Sequence, residues 1–160
     1  MLRANPKSKS KSSSDRFAVV ASRYNSEFVD AMLHAVREEL LRAGAHVRIV
    51  RVPGAFEIPA VAAKLAEKNS KLKTQNPKLS AIICLGVIFQ GETSHAEHIG
   101  KGVTHALAQI QVLHKIPVIH AVFVFEKIKH ARVRCLGKKH NRGTEAARTA
   151  LEMARVMRGL

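Results

Sequence analysis

Ala81-Ile-Ile-Cys-Leu-Gly-Val-Ile-Phe-Gln-Gly-Glu-Thr-Ser-His95 is the stretch whose reading decides the fold. Its first seven residues, Ala81–Val87, are apolar without alternation, as in a strand covered on both faces. A loop of small and polar residues comes next, and then a helical pattern from about Glu97 to Leu113. Strand, loop and helix form the first part of a βαβ unit, and Pro117 opens the returning strand, Val118–Phe125. The same order recurs upstream. Phe17–Ser22 is a nearly continuous apolar run, and Phe28, Val29, Met32, Leu33, Val36, Leu40 and Leu41 then repeat at helical spacing up to a stop at Gly44. Val47–Val52 reads as a strand broken by Pro53-Gly54, and Pro59 suits the first turn of a helix to about Glu67. Asn69–Ser80 is a polar loop, and two helical segments, Lys127–Cys135 and Asn141–Arg158, close the chain. Strands alternating with helices predict a parallel sheet, and right-handed crossovers put helices on both of its faces.

At 160 residues the chain suits one domain, and its 46% hydrophobic content can supply a core. Lys and Arg number 27 against 12 Asp and Glu, a net charge of +15 that attracts polyanions without specifying a fold. The expected organisation is a basic, Ser/Lys-rich mobile tail over 1–15 and a catalytic domain over 16–160. The tail lacks the apolar segment of a secretory signal and does not match a plastid transit peptide. Cys84 and Cys135 make neither a disulfide framework nor a metal-ligand cluster, and Cys84 reads as a buried thiol. No apolar run is long enough for a membrane span. A reducing, cytoplasmic setting is expected.

In such sheets ligands sit beyond the carboxyl ends of the strands, where strand order reverses. Four segments come directly after strands: Arg23-Tyr24-Asn25, Pro53–Glu57, Ile88–His95 and the region after Phe125. Glu92, Thr93 and Ser94 lead into a helix, whose first amides favour an anion such as phosphate, although Thr93 or Ser94 could equally cap the helix. His95 lies in the same turn and suits proton transfer. His95, Glu97 and His98 do not share the helical spacing of a zinc site, so no metal is expected. Arg134, Lys138, Lys139 and Arg142 form a basic cluster that reads as a solvated face or as a phosphate partner. Tyr24, Phe56 and Phe89 fall at one predicted edge, where a flat ring could stack on a heterocycle. A nucleic-acid-binding module is the competing reading of the charge, although interleaved exposed aromatics are lacking.

Taken jointly, Ser22-Arg-Tyr-Asn25, Val52-Pro-Gly-Ala-Phe-Glu-Ile-Pro59, Leu85–His95, Pro117-Val118 and Arg134…Gly137-Lys138…Asn141-Arg142-Gly143 resemble the 6,7-dimethyl-8-ribityllumazine synthase family, from about Arg16 to Met157. The resemblance implies a three-layer α/β/α sandwich with a four-stranded parallel, flavodoxin-like sheet. It implies an enzyme without cofactor or metal. The reaction condenses 5-amino-6-(D-ribitylamino)uracil with 3,4-dihydroxy-2-butanone 4-phosphate, the penultimate step of riboflavin synthesis. Carried over by position, Tyr24 stacks on the pyrimidine, and Ala55, Phe56, Glu57, Val87, Ile88 and Phe89 hold the ring edge and ribityl chain. Glu92 and Thr93 bind phosphate with Arg134, and His95 transfers protons. The family builds each site between two subunits of a homopentamer, so His120, Arg134 and Arg142 reach in from the adjacent chain. The short Gly137-Lys138 connection favours further assembly into an icosahedral shell. His120 stands where the family commonly has Phe, Arg142 where it has Lys, and Gln90 where Arg is frequent.

Overall fold

The computed structural model describes residues 15–160. The expected basic tail lies outside the described residues, apart from Asp15, which the structure reassigns to the domain. The Asp15 carboxylate accepts a hydrogen bond from Ser80 Oγ at 2.9 Å and pairs with Arg158, and its carbonyl accepts from the His46 N–H at 2.9 Å. A buried carboxylate requires such partners, and they lie far along the chain where local composition gives no sign of them.

Four strands, β1 (Arg16–Ser22), β2 (His46–Val52), β3 (Ala81–Phe89) and β4 (Val118–Phe125), form one parallel sheet in the order β2-β1-β3-β4. Helices α1 (Ser26–Arg42) and α5 (Arg142–Arg158) cover one face, and α2 (Ile58–Ser70) and α3 (His95–His114) cover the other. The period of two along β1 explains the sandwich. Phe17, Val19 and Ala21 pack toward α1 and α5, while Ala18 and Val20 pack toward α2 and α3, all fully buried. The expected three-layer sandwich is the fold observed.

Two glycines are required by geometry. Gly44 takes φ 76° just after α1, the left-handed turn that ends helices. Gly143 sits where a Cβ would lie 2.1 Å from the Met32 carbonyl oxygen, so the first turn of α5 presses directly on the α1 backbone.

The element boundaries differ from expectation in four main places, the first being α2, which runs to Ser70 and takes Asn69 and Ser70 from the expected loop. β3 runs on through Ile88 and Phe89, because the ladder to β4 continues to Phe89 opposite Phe125. α3 starts at His95 rather than Glu97. The expected helix Lys127–Cys135 is a short α4 (Ile128–Ala131) running into a π-helical turn, Arg132–Leu136. α1 diverges to one face from β1 and α3 to the other from β3, so a crevice opens between the carboxyl ends of these neighbours.

Candidate active site

That crevice holds a cavity of about 540 Å³ lined by Tyr24, Asn25, Gly54–Glu57, Val87–Phe89, Gly91, Thr93, His95, Ala96 and Ile99. Backbone geometry brings these segments together. The β1–β2 ladder continues past the strands, with the Arg23 N–H donating to Val52 O at 2.8 Å and the Tyr24 N–H to Pro53 O at 3.0 Å. Asn25 takes the left-handed conformation (φ 57°) and donates from Nδ2 to the Val87 carbonyl at 2.7 Å, tying the exit of β1 to the exit of β3. The Ala55–Glu57 turn then leads into α2. Tyr24 is 73% and Phe56 61% exposed, which for large rings leaves faces open to a ligand. Phe89 differs from the sequence expectation. It lines the cavity, but its ring packs edge-to-face on Phe28 at 5.3 Å, so it belongs to the wall and not to a free stacking surface.

The far wall is the start of α3. Of the two hydroxyls proposed as caps, Ser94 makes no side-chain cap bond, while Thr93 Oγ1 accepts one long bond, 3.4 Å, from the His95 N–H. The first-turn amides of a twenty-residue helix thus carry their positive end toward the cavity with little internal competition. Gln90 holds the loop in place, donating from Nε2 to the Thr93 carbonyl at 2.9 Å. Glu92 is exposed on that loop and does not line the cavity. His95 and Ile99, one turn apart, share the cavity face of α3.

Three other predicted residues are elsewhere in this chain. Arg134 is exposed on the π-helical turn. His120 and Arg142 line a separate groove of about 430 Å³ between β4 and α5. Arg142 pairs with Glu145, and its guanidinium lies 5.7 Å from the centroid of Phe123. His120 Nε2 is 2.7 Å from Thr104 Oγ1, which donates to the Gly100 carbonyl at 2.8 Å. With its proton committed there, Thr104 accepts from Nε2–H, and Nδ1 accepts from the Val122 N–H at 3.4 Å, the pattern of a neutral, Nε2-protonated His120. Partial burial lowers the pKa of His120 in the same sense. A residue that sequence reading undervalued links the basic pair. Buried Asn141 donates from Nδ2 to the Cys135 carbonyl at 2.7 Å and accepts from the Gly143 N–H at 2.8 Å. It closes the turn bearing Arg134 and caps the helix bearing Arg142.

Ile99 is a further site-forming residue that sequence reasoning missed, while Asn25 and Gln90 lay in segments singled out there without a role of their own. Asn before a helical run was the available signal for Asn25, and i to i+4 spacing from His95 for Ile99. Burial pushes the Cys84 thiol up to about 12, consistent with an inert residue in the centre of β3. Among the described residues no helix is long and apolar enough to cross a membrane, and no group of three or more His, Cys, Asp or Glu could hold a metal ion.

The arrangement can seat a flat polar ring in a cavity that Tyr24 and Phe56 both line, with an anion at the start of α3 and the His95 imidazole within the same cavity. Comparison with known proteins agrees with the motif reading. The family model of 6,7-dimethyl-8-ribityllumazine synthase matches residues 14–158. A protein of that name from Stenotrophomonas maltophilia (strain K279a) is 35% identical over 150 residues, 92% of each chain. Another from Xanthomonas campestris pv. campestris (strain B100) is 34% identical over 145 residues, 89% of each chain. The chain is an enzyme belonging to the 6,7-dimethyl-8-ribityllumazine synthase family.

Proposed function

We propose that the protein condenses 5-amino-6-(D-ribitylamino)uracil with 3,4-dihydroxy-2-butanone 4-phosphate to give 6,7-dimethyl-8-ribityllumazine, phosphate and water. The observation that carries this reading is the cavity at the β1/β3 switch point, which collects Tyr24, Ala55, Phe56, Glu57, Val87, Ile88, Thr93 and His95 from four separate stretches of chain. Tyr24 stacks on the pyrimidine, Phe56 flanks the ring edge and ribityl chain, and Glu57 accepts hydrogen bonds from polar substrate groups. Phosphate sits at the start of α3, with Thr93 and the loop beside Glu92. The 5-amino group attacks the ketone carbonyl and water leaves as the C=N bond forms. Loss of a proton from the adjacent carbon then expels phosphate, and the resulting enol is reprotonated on its terminal carbon to a methyl ketone. The ribitylamino nitrogen attacks that carbonyl and closes the ring with loss of the second water. Each step moves a proton that one imidazole can carry, and His95 does so. Holding both substrates in one cavity removes much of the entropic barrier, so few catalytic groups are needed.

The same reading makes each site shared between neighbouring subunits of a homopentamer. Arg134, His120 and Arg142 do not line this chain's cavity, and the guanidinium that would stabilise the departing phosphate must come from an adjacent copy. A groove of about 580 Å³ along edge strand β4 and α3, with Gly100, Ala108, Val122 and Val124 beside Gln90, Glu97, Lys101, Thr104 and His105 in its wall, suits burial against that copy. Further assembly into an icosahedral shell and a cytoplasmic location belong to this proposal. The test is complementation. His95→Ala and Arg134→Ala are each expected to lose nearly all product fluorescence, whereas mixed oligomers of the two recover about a quarter of wild-type turnover, because a quarter of random neighbours pair an intact imidazole with an intact guanidinium. Full activity in either single variant would refute the role of that residue. Inactive mixed oligomers would refute the shared site.

A further inference from the structure

At the opposite end of the sheet two grooves adjoin, with Asn69 and Leu79 in the walls of both. One, of about 530 Å³, carries Arg16, Arg48 and Lys68, and the other, of about 290 Å³, carries Lys78, Lys115 and Arg158. Neither wall contains a carboxylate. Among the described residues Arg158 pairs with Asp15, while no ion pair engages Arg16, Arg48, Lys68, Lys78 or Lys115. The plainest explanation of such cations is the partial negative charge at helix ends. It covers Lys68 in the last turn of α2, Lys115 just after α3 and Arg158 at the end of α5. It does not reach Arg16 and Arg48, which are on strands, or Lys78, which is in the loop before β3. The chain also enters the domain here, at Asp15, after a segment with Arg3, Lys7, Lys9 and Lys11 and no acidic residue.

We propose that this face binds the phosphate backbone of nucleic acid without regard to base sequence. Like charges gathered without carboxylates repel one another, and a polyphosphate relieves that repulsion while releasing its own counterions. The lining offers no Phe, Tyr or Trp face for base stacking, since Phe17 is fully buried, and the imidazoles of His46 and His114 are its only accessible rings. Contacts to phosphate position a nucleic acid without reading it, so single strands and duplexes are both accepted. A repeating polyanion fits better than a single nucleotide, because the cations are spread over two grooves. The inference is independent of the catalytic reading, since none of these residues belongs to the candidate active site.

The test is fluorescence anisotropy of the full chain with a labelled RNA strand and a labelled DNA duplex across a salt series. The expected result is an affinity that falls steeply and log-linearly with salt. Arg16→Glu, Arg48→Glu and Lys68→Glu together should weaken binding about tenfold or more and flatten the slope by about three, with circular dichroism and lumazine formation unchanged. Should that variant fail to fold, Arg48→Ala with Lys78→Ala should still flatten the slope by about two. Lys7→Ser, Lys9→Ser and Lys11→Ser in the full chain should leave a measurable share of the binding. Wild-type affinity in the face variants would overturn the proposal. So would complete loss of binding in the tail variant, or stronger competition by polyglutamate or phosphatidylglycerol vesicles than by unlabelled RNA.

Discussion

The two ends of the sheet carry cavities of nearly equal size, about 540 and 530 Å³, yet they become attractive to anions by opposite means. Every strand is parallel, so the helices start at the carboxyl end and finish at the amino end. At the carboxyl end the positive charge comes from backbone amides at the start of α3, and side chains are free to supply rings, a carboxylate and an imidazole. At the amino end the backbone contributes carbonyl oxygens, the wrong sign for phosphate, so a positive surface there has to be made from lysine and arginine side chains. Backbone charge is fixed in direction and suits one small ligand. Side-chain charge is diffuse and suits a polymer.

The contrast is sharpest in catalysis. His95→Ala is expected to lower kcat by about 10²-fold or more, measured by lumazine fluorescence, while reversing Arg16, Arg48 and Lys68 leaves turnover intact. Equal damage from both would erase the distinction between the two ends. Next in size is the seat of α5. Gly143→Ala forces a Cβ to 2.1 Å from Met32 O and should cost about 2–4 kcal/mol in urea denaturation, since backbone must move. Asn141→Ala should cost about 1–3 kcal/mol, the cap and the Cys135 bond together. Because Asn141 closes the turn bearing Arg134, whose guanidinium is assigned to the departing phosphate, kcat should fall, with nucleic-acid affinity unaffected. The smallest effect tests two buried thiols, Cys84 in the centre of the sheet and Cys135 on the π-helical turn, which line neither cavity. Burial raises the thiols of Cys84 to about 12 and Cys135 to about 11 from an ordinary 9.0. The folded state therefore keeps protons that the unfolded chain releases. Their contribution to stability is complete below about pH 9 and fades as pH climbs toward 12. Cys84→Ala should flatten that alkaline decline, and an unchanged slope would show that Cys84 is not its source.

Much of this molecule is legible in its sequence. Continuous apolar runs at Phe17–Ser22 and Ala81–Val87 suit only strands covered on both sides, and that alone requires helices above and below. Gly44 marks a helix end because it tolerates the left-handed turn, and Pro59 marks a helix start because its ring presets a helical φ. The segments Tyr24, Ala55–Glu57 and Thr93–His95 are recognisable as strand exits, and they do meet in one cavity. Phe89 escapes such reading because its ring packs against Phe28, a residue far away along the chain in another element. Thr93 and Ser94 fit a capping pattern equally well, and only the folded loop shows that Thr93 takes a first-turn amide, by one long bond, and Ser94 none. Asp15 belongs to the tail by composition, although Ser80 and Arg158 hold it in the domain.

Local pattern was sufficient for the order of elements, the layers of the sandwich and the set of residues near the carboxyl ends, since hydrophobic period and turn chemistry act over a few positions. Partnership was beyond it. Which cavity receives His95, why Arg142 faces Phe123, how Asn141 joins two basic elements and which lysines remain without carboxylates are settled only in three dimensions, because hydrogen bonds and charge pairs depend on distances that the chain sets by folding.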